Sequence, residues 1–231
     1  MTTESELLMD RAQTFELASV LCSYPDLECE RTLSVLAAEQ PEHEGGGALA
    51  RAASGPRGGD DIRSAFLALF DSAQGRASLY ETEYGRMRGM AKGNDLADVA
   101  GFYRAFGMEL DTDQAHEMLD HIAVELEFYA LLLLKQSHLV SGCDAEGCAI
   151  VEDARKKFLV DHLARLAGAL AKSESVRACP LYGEVFAWCW QLVEAECARL
   201  GVSPAPLDYF LDAAAKDEMK CGAVHLPVMP S

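Results

Sequence analysis

The sequence predicts an all-α protein, a single compact helical domain of about seven to nine helices. Three observations predict it. Apolar residues recur at steps of three and four over long stretches, most clearly at Leu119, Ile122, Ala123, Leu126, Tyr129, Ala130 and Leu133, a spacing that gathers them on one helix face. No stretch shows the strict two-residue alternation of a strand. Proline and glycine fall at the ends of the periodic runs, as Pro25, Gly107, Pro180 and Gly201 do, where they start or stop helices.

Taken in order, Glu4 to Tyr24 reads as a first amphipathic helix with Leu7, Leu8, Phe15, Ala18, Leu21 and Cys22 inward, ended by Pro25. Asp26 caps a second helix that runs to about Gln40. Residues 41–59 carry GGG, GP and GG and read as a flexible connection that permits a domain-swapped dimer beside the monomer. Asp60 to Ala73 forms a third helix on Ile62, Phe66, Leu69 and Phe70. Arg76 to Gly93 shows no sustained period and is expected to be an exposed, irregular connection. Asn94 caps a fourth helix that ends at Phe106-Gly107.

The longest helical signal follows, Asp111 to His138, with Asp111 or Asp113 as its cap and Leu131–Leu134 apolar on all sides. On it, Glu117, His121 and Glu125 stand at successive four-residue steps and form one polar ridge, flanked by Asp120 and Glu127. After a loop at 140–147, Ala149–Lys172 and Pro180–Leu200 read as helices. A short last helix is expected from Ser203 to about Lys216, then an irregular tail at 221–231.

The 231 residues include 37 acidic and 20 basic side chains, for a net charge of −17. That sign argues against nucleic acid and anionic membranes as partners and favours a basic peptide. No segment has the length and apolarity of a membrane span, and the acidic N-terminus does not resemble a targeting signal. The reading is a cytoplasmic protein whose eight cysteines are reduced thiols.

Motifs for chemistry are sparse. His116-Glu117 with His121 resembles a zinc-protease pattern, but a spacing of five turns the second histidine away by roughly 140°. The cysteines include Cys143 and Cys148 but no CxxC pair. There is no phosphate loop and no nucleophile elbow. Binding remains: Tyr80 and Tyr84 are amphipathic contact residues, and the neighbouring Glu81 and Glu83 favour an arginine-bearing ligand.

Three stretches carry a resemblance: LYETEYG at Leu79–Gly85, DLADVAGFYRAFGMEL at Asp95–Leu110 and DHIAVELEFYALLL at Asp120–Leu133. In order and spacing the chain is similar to the TorD/DmsD/NarJ-type chaperones, most of all to the branch serving type II dimethyl-sulfoxide-reductase-like enzymes. The resemblance implies an all-helical cytoplasmic chaperone, not an enzyme. It would bind the immature catalytic subunit of a molybdenum oxidoreductase, often through its twin-arginine leader, until the cofactor is in place. It implies no cofactor held stably by the chain itself, the client carrying the molybdopterin-type group. Asp120 and His121 match the family's Asp-His pair, and Tyr80 and Tyr84 match the aromatic ends of its loop motif. Met118-Leu119 stand near the place where the family often has Glu-Pro.

The expected client site is a groove between the Tyr80–Tyr84 loop and the Asp120–Glu127 ridge, formed by Tyr80, Glu81, Glu83, Tyr84, Asp120, His121, Glu125 and Glu127. Two other readings stay open: a metal- or thiol-dependent enzyme using the histidines and cysteines, and a structural subunit of a mature oxidoreductase complex.

Overall fold

The computed structural model describes residues 3–39, 45–54, 59–70, 76–84, 88–108 and 118–207. Among these the chain is helical, with no strand and one isolated backbone bridge, between Tyr80 and His121. The helices are α1 (Glu4–Cys22), α2 (Leu27–Glu39), α3 (Gly46–Ser54), α4 (Gly59–Phe70), α5 (Arg88–Ala105), α6 (Ile122–Ser141), α7 (Ala145–Phe158), α8 (Ala164–Lys172), α9 (Glu174–Arg177) and α10 (Pro180–Leu200). A π turn, Leu159–Leu163, joins α7 to α8 without a break.

Local chemistry explains the ends. Thr3 and Glu6 form a reciprocal capping box on α1. Asp26 accepts a hydrogen bond from the Cys29 N–H at 2.8 Å, and Asp144 accepts one from Gly147 at 2.9 Å. Pro180 occupies the first turn of α10, and Gly201 closes it at φ +66°. Gly107 takes the left-handed conformation after α5, as its position after an aromatic-rich helix end predicted.

The core is built on α6. Ile122, Leu126, Phe128, Tyr129, Leu132 and Leu133 are all fully buried. α1 packs along it, with Phe15 and Tyr129 rings 4.7 Å apart and the Ser19 hydroxyl donating to the Ala123 carbonyl at 2.8 Å. On another side Phe128 meets Tyr103 of α5 at 4.7 Å and Phe158 of α7 at 4.8 Å.

Several expectations are corrected. The long helix begins at Ile122, not near Asp111, because Met118–Asp120 form a turn and His121 is the cap. The cap candidates Asp111 and Asp113, with His116 and Glu117, lie outside the described residues. Leu134 is 43 % exposed and Leu7 51 %, so neither belongs to the core. The glycine-rich connection contains α3, ordered by burial of Leu49, Ala50 and Ala53. α5 begins at Arg88, six residues before the expected cap Asn94, and α7 begins at Ala145, four before Ala149. Ser203–Leu207 is not helical; the rest of the expected last helix and the 221–231 tail lie outside the described residues.

Gly46 is a tight point. A Cβ there would stand 2.5 and 2.7 Å from two Trp188 ring carbons and 2.9 Å from a Leu17 methyl. Gly46→Ala should therefore destabilise by about 1–3 kcal/mol through overpacking, seen as a lower midpoint in thermal unfolding. An unchanged or raised midpoint would show that Trp188 gives way freely.

Candidate functional site

The two segments singled out in the sequence meet. Residues Ala77–Tyr84 form a strap that crosses the N-terminus of α6. The Ile122 N–H donates to the Leu79 carbonyl at 2.8 Å, and the Glu81 N–H donates to the Asp120 carbonyl at 2.9 Å. The Tyr80 and His121 rings stand edge to face at 5.0 Å. Asp120 clamps the strap by its side chain: Oδ2 accepts from the Thr82 N–H at 3.0 Å and the Thr82 hydroxyl at 2.6 Å. His121 caps α6, Nδ1 accepting from the Ala123 N–H at 3.1 Å. The Tyr84 hydroxyl turns back to the Ser78 carbonyl at 2.7 Å, and burial pushes that phenol well up.

The expected polar ridge does not form, since His121 precedes the helix on which Glu125 lies. The strap is not an exposed loop either. Glu81, Thr82, Tyr84, Asp120, His121 and Glu125 are buried; Tyr80 and Glu83 are half-buried; Glu127 alone is exposed. Paired backbone fills the space where a groove between strap and ridge was expected.

Beneath the strap the chain collects acids. Glu81 Oε2 lies 2.9 Å from His162 Nδ1, and His162 Nε2 lies 3.2 Å from Asp98. Arg165 approaches Glu81 at 3.8 Å. Burial alone would lower the His162 pKa, but the hydrogen bonds and charges of Glu81 and Asp98 outweigh it and hold it above its ordinary value. Glu125 is fully buried, and neither of its carboxyl oxygens has a hydrogen-bond partner; Asp120 Oδ1 and Arg165 Nε are likewise unpartnered. Burial, then the charges of Glu81 and Asp120, push the Glu125 carboxyl well above its usual range, with Arg165 opposing. Among the described residues, four acids, Glu81, Asp98, Asp120 and Glu125, thus face one arginine and one histidine.

Thr82, Asp98, Tyr103, His162 and Arg165 were not legible as members of this site. Tyr103 donates to the Leu119 carbonyl at 2.8 Å and anchors the turn before Asp120. His162 lies 81 residues from Glu81 in sequence, and no local pattern links them. The π turn that carries it is the kind of helix irregularity that gathers at functional sites.

Among the described residues no group of three or more His, Cys, Asp or Glu is arranged to hold a metal ion, and no helix is long and apolar enough to cross a membrane. The seven cysteines among them are free thiols, with Cys189 and Cys197 in the core and Cys143 exposed. Fold and site together define an all-α protein in which Asp120, His121, Glu81 and His162 hold one segment across another. The family model described as Nitrate reductase delta subunit matches residues 38–172, and the chain belongs to that family. It is a family of molybdoenzyme-maturation chaperones of the NarJ/TorD type. The matched stretch contains the whole junction, from Tyr80 to Arg165. No curated protein matches the chain.

Proposed function

We propose that this chain is a cytoplasmic, system-specific chaperone for the catalytic subunit of a molybdenum oxidoreductase of the type II dimethyl-sulfoxide-reductase-like group. It binds the immature subunit, including its twin-arginine leader, and holds it for cofactor insertion before export. The observation that carries the reading is the acid-rich junction beneath the Tyr80–Tyr84 strap, inside the family-matched stretch. Four carboxyl groups that meet one arginine and one histidine among the described residues suit the guanidinium groups of a leader, and Tyr80 beside them suits its apolar positions.

Because Asp120 and Glu125 are buried, a leader reaches them only when the strap lifts. Binding then draws on an open state, and apparent affinity is scaled by the population of that state. Thr82→Val removes one hydroxyl–carboxylate bond from the closed state while keeping side-chain shape. Such a bond is worth about 1.5–3 kcal/mol, so the open population should rise and leader affinity should increase up to roughly tenfold per 1.4 kcal/mol. Calorimetric titration of the wild type and Thr82→Val with the client's leader peptide reads this directly. Tyr80→Ala should weaken binding in the same assay. Equal or lower affinity for Thr82→Val would reject the lifting strap, and no binding to either protein would reject leader recognition.

A further inference from the structure

A second, separate site lies between α1 and α10, and the residues lining its groove all lie outside the family-matched stretch. The two helices form a groove of about 490 Å³, with Leu7 and Phe15 on one wall and Leu192 on the other. At its floor lies Glu196, fully buried, and around this one carboxylate three arginines converge. Arg155 contacts Oε2 at 2.5 Å from the interior side, where the Tyr129 hydroxyl also donates at 2.9 Å. Arg11 and Arg199 both contact the other oxygen, Oε1, at 2.7 and 2.8 Å.

The charges do not balance. Arg155 is buried and takes the Glu196 charge as its natural partner. Arg11 and Arg199 then share the remaining oxygen, Oε1, between them. Arg11 adds only a bond to the Leu7 carbonyl at 3.3 Å, and Arg199 adds none. Asp10 lines the same groove without pairing to either. Three guanidiniums thus face two carboxylates at one point on a chain whose net charge is −17. Both outer arginines reach solvent, with side chains 25 % and 54 % exposed, and each keeps N–H donors unused. Two half-satisfied forks side by side form a receptor for one further carboxylate, which each could bind through two parallel bonds.

We infer that the α1–α10 groove binds a polypeptide segment that presents one carboxylate between aliphatic side chains. The carboxylate bridges Arg11 and Arg199, and the flanking aliphatics cover Leu7, which is 51 % exposed, and Leu192. The apolar walls argue for a peptide rather than a free anion. The acidity of the whole chain argues against a polyanion, which it would repel beyond the groove.

The test uses the full-length protein, isotopically labelled, with the arginine Nε–H resonances followed by NMR. The probe is a short end-blocked peptide with one glutamate between two leucines. Saturable shifts at Arg11 and Arg199 are expected, with a glutamine version of the peptide at least about tenfold weaker. Arg199→Gln, chosen because the side chain is exposed and makes a single contact, should weaken binding by about tenfold with little change in thermal midpoint. Inorganic phosphate at the same concentration should not compete. Absence of saturable shifts, equal binding of the glutamine peptide, unchanged affinity in Arg199→Gln, or competition by phosphate would each overturn the inference.

Discussion

Glu196→Gln is expected to destabilise this protein more than any other single change at its ion pairs, by about 3–5 kcal/mol, or a fall of roughly 10 °C in thermal midpoint for a chain of this size. The reason is asymmetry. Glu196 is the shared anion for Arg11, Arg155 and Arg199, and Arg155 is almost wholly enclosed, bonded also to Gln136 and Tyr129. Glutamine keeps the shape and an acceptor oxygen but leaves the buried guanidinium without a counter-charge. The pH dependence gives a second check. Burial raises the Glu196 pKa, but the charge and hydrogen bond of Arg11, then Arg155 and Tyr129, outweigh it and hold the carboxyl below its usual range. A depressed folded value means the stabilisation is present above the unfolded carboxylate value and is lost as pH falls through the folded one. Wild type and Glu196→Gln should therefore converge in acid and diverge toward neutrality. Parallel curves from calorimetry across that window would contradict this account.

Glu125→Met should do the reverse and stabilise. Both Glu125 oxygens are buried without partners, and Glu81 and Asp120 add like charge. Methionine matches the volume and removes the orphaned polar atoms, which cost about 1–3 kcal/mol, so the midpoint should rise by several degrees. The sign with pH is opposite to that of Glu196. A carboxyl whose folded pKa is raised contributes stability that is full below its unfolded value, about 4.5, and is lost as pH rises through the folded value. The gain from Glu125→Met should thus be small in acid and grow toward neutral pH. If leader binding depends on this carboxyl, the same variant loses affinity while gaining stability, a trade expected where a destabilised site is kept for function. A lowered midpoint at neutral pH would mean that the carboxyl is held by a partner.

The two variants also show what could be read from sequence. Glu125 is a candidate in the sequence because it stands four residues after His121 on the expected polar ridge, and the structure does bring Asp120 and His121 together with the Tyr80 strap. Asp120, His121 and Glu125 are buried, where the pattern predicts an exposed ridge. Helical periodicity continued smoothly from Asp111 through His138, so His121 was placed within a helix, on a solvent-facing ridge. A histidine as an N-cap leaves no mark in period, because the cap is defined by one residue's extended backbone, φ −77° and ψ 135°. Glu196 gave no signal at all. It stands in a run, EAECARL, that suits any amphipathic helix, and its partners come from positions 185 and 41 residues away.

The sequence by itself determined the helical class, the placement of α1, α2, α4 and α10, and the residues that end α1 and α10, because periodicity, capping and proline or glycine punctuation act over a few residues. It also showed a family likeness that the family match bears out at the level of a molybdoenzyme chaperone. Only the tertiary structure decided that the tyrosine segment is a strap lying on the α6 N-terminus, that the acids beneath it face inward, and that three arginines meet one glutamate. Those arrangements depend on which side chains fill the space between helices far apart in the chain. Burial and charge pairing are properties of that packing, and no window of neighbouring residues contains them.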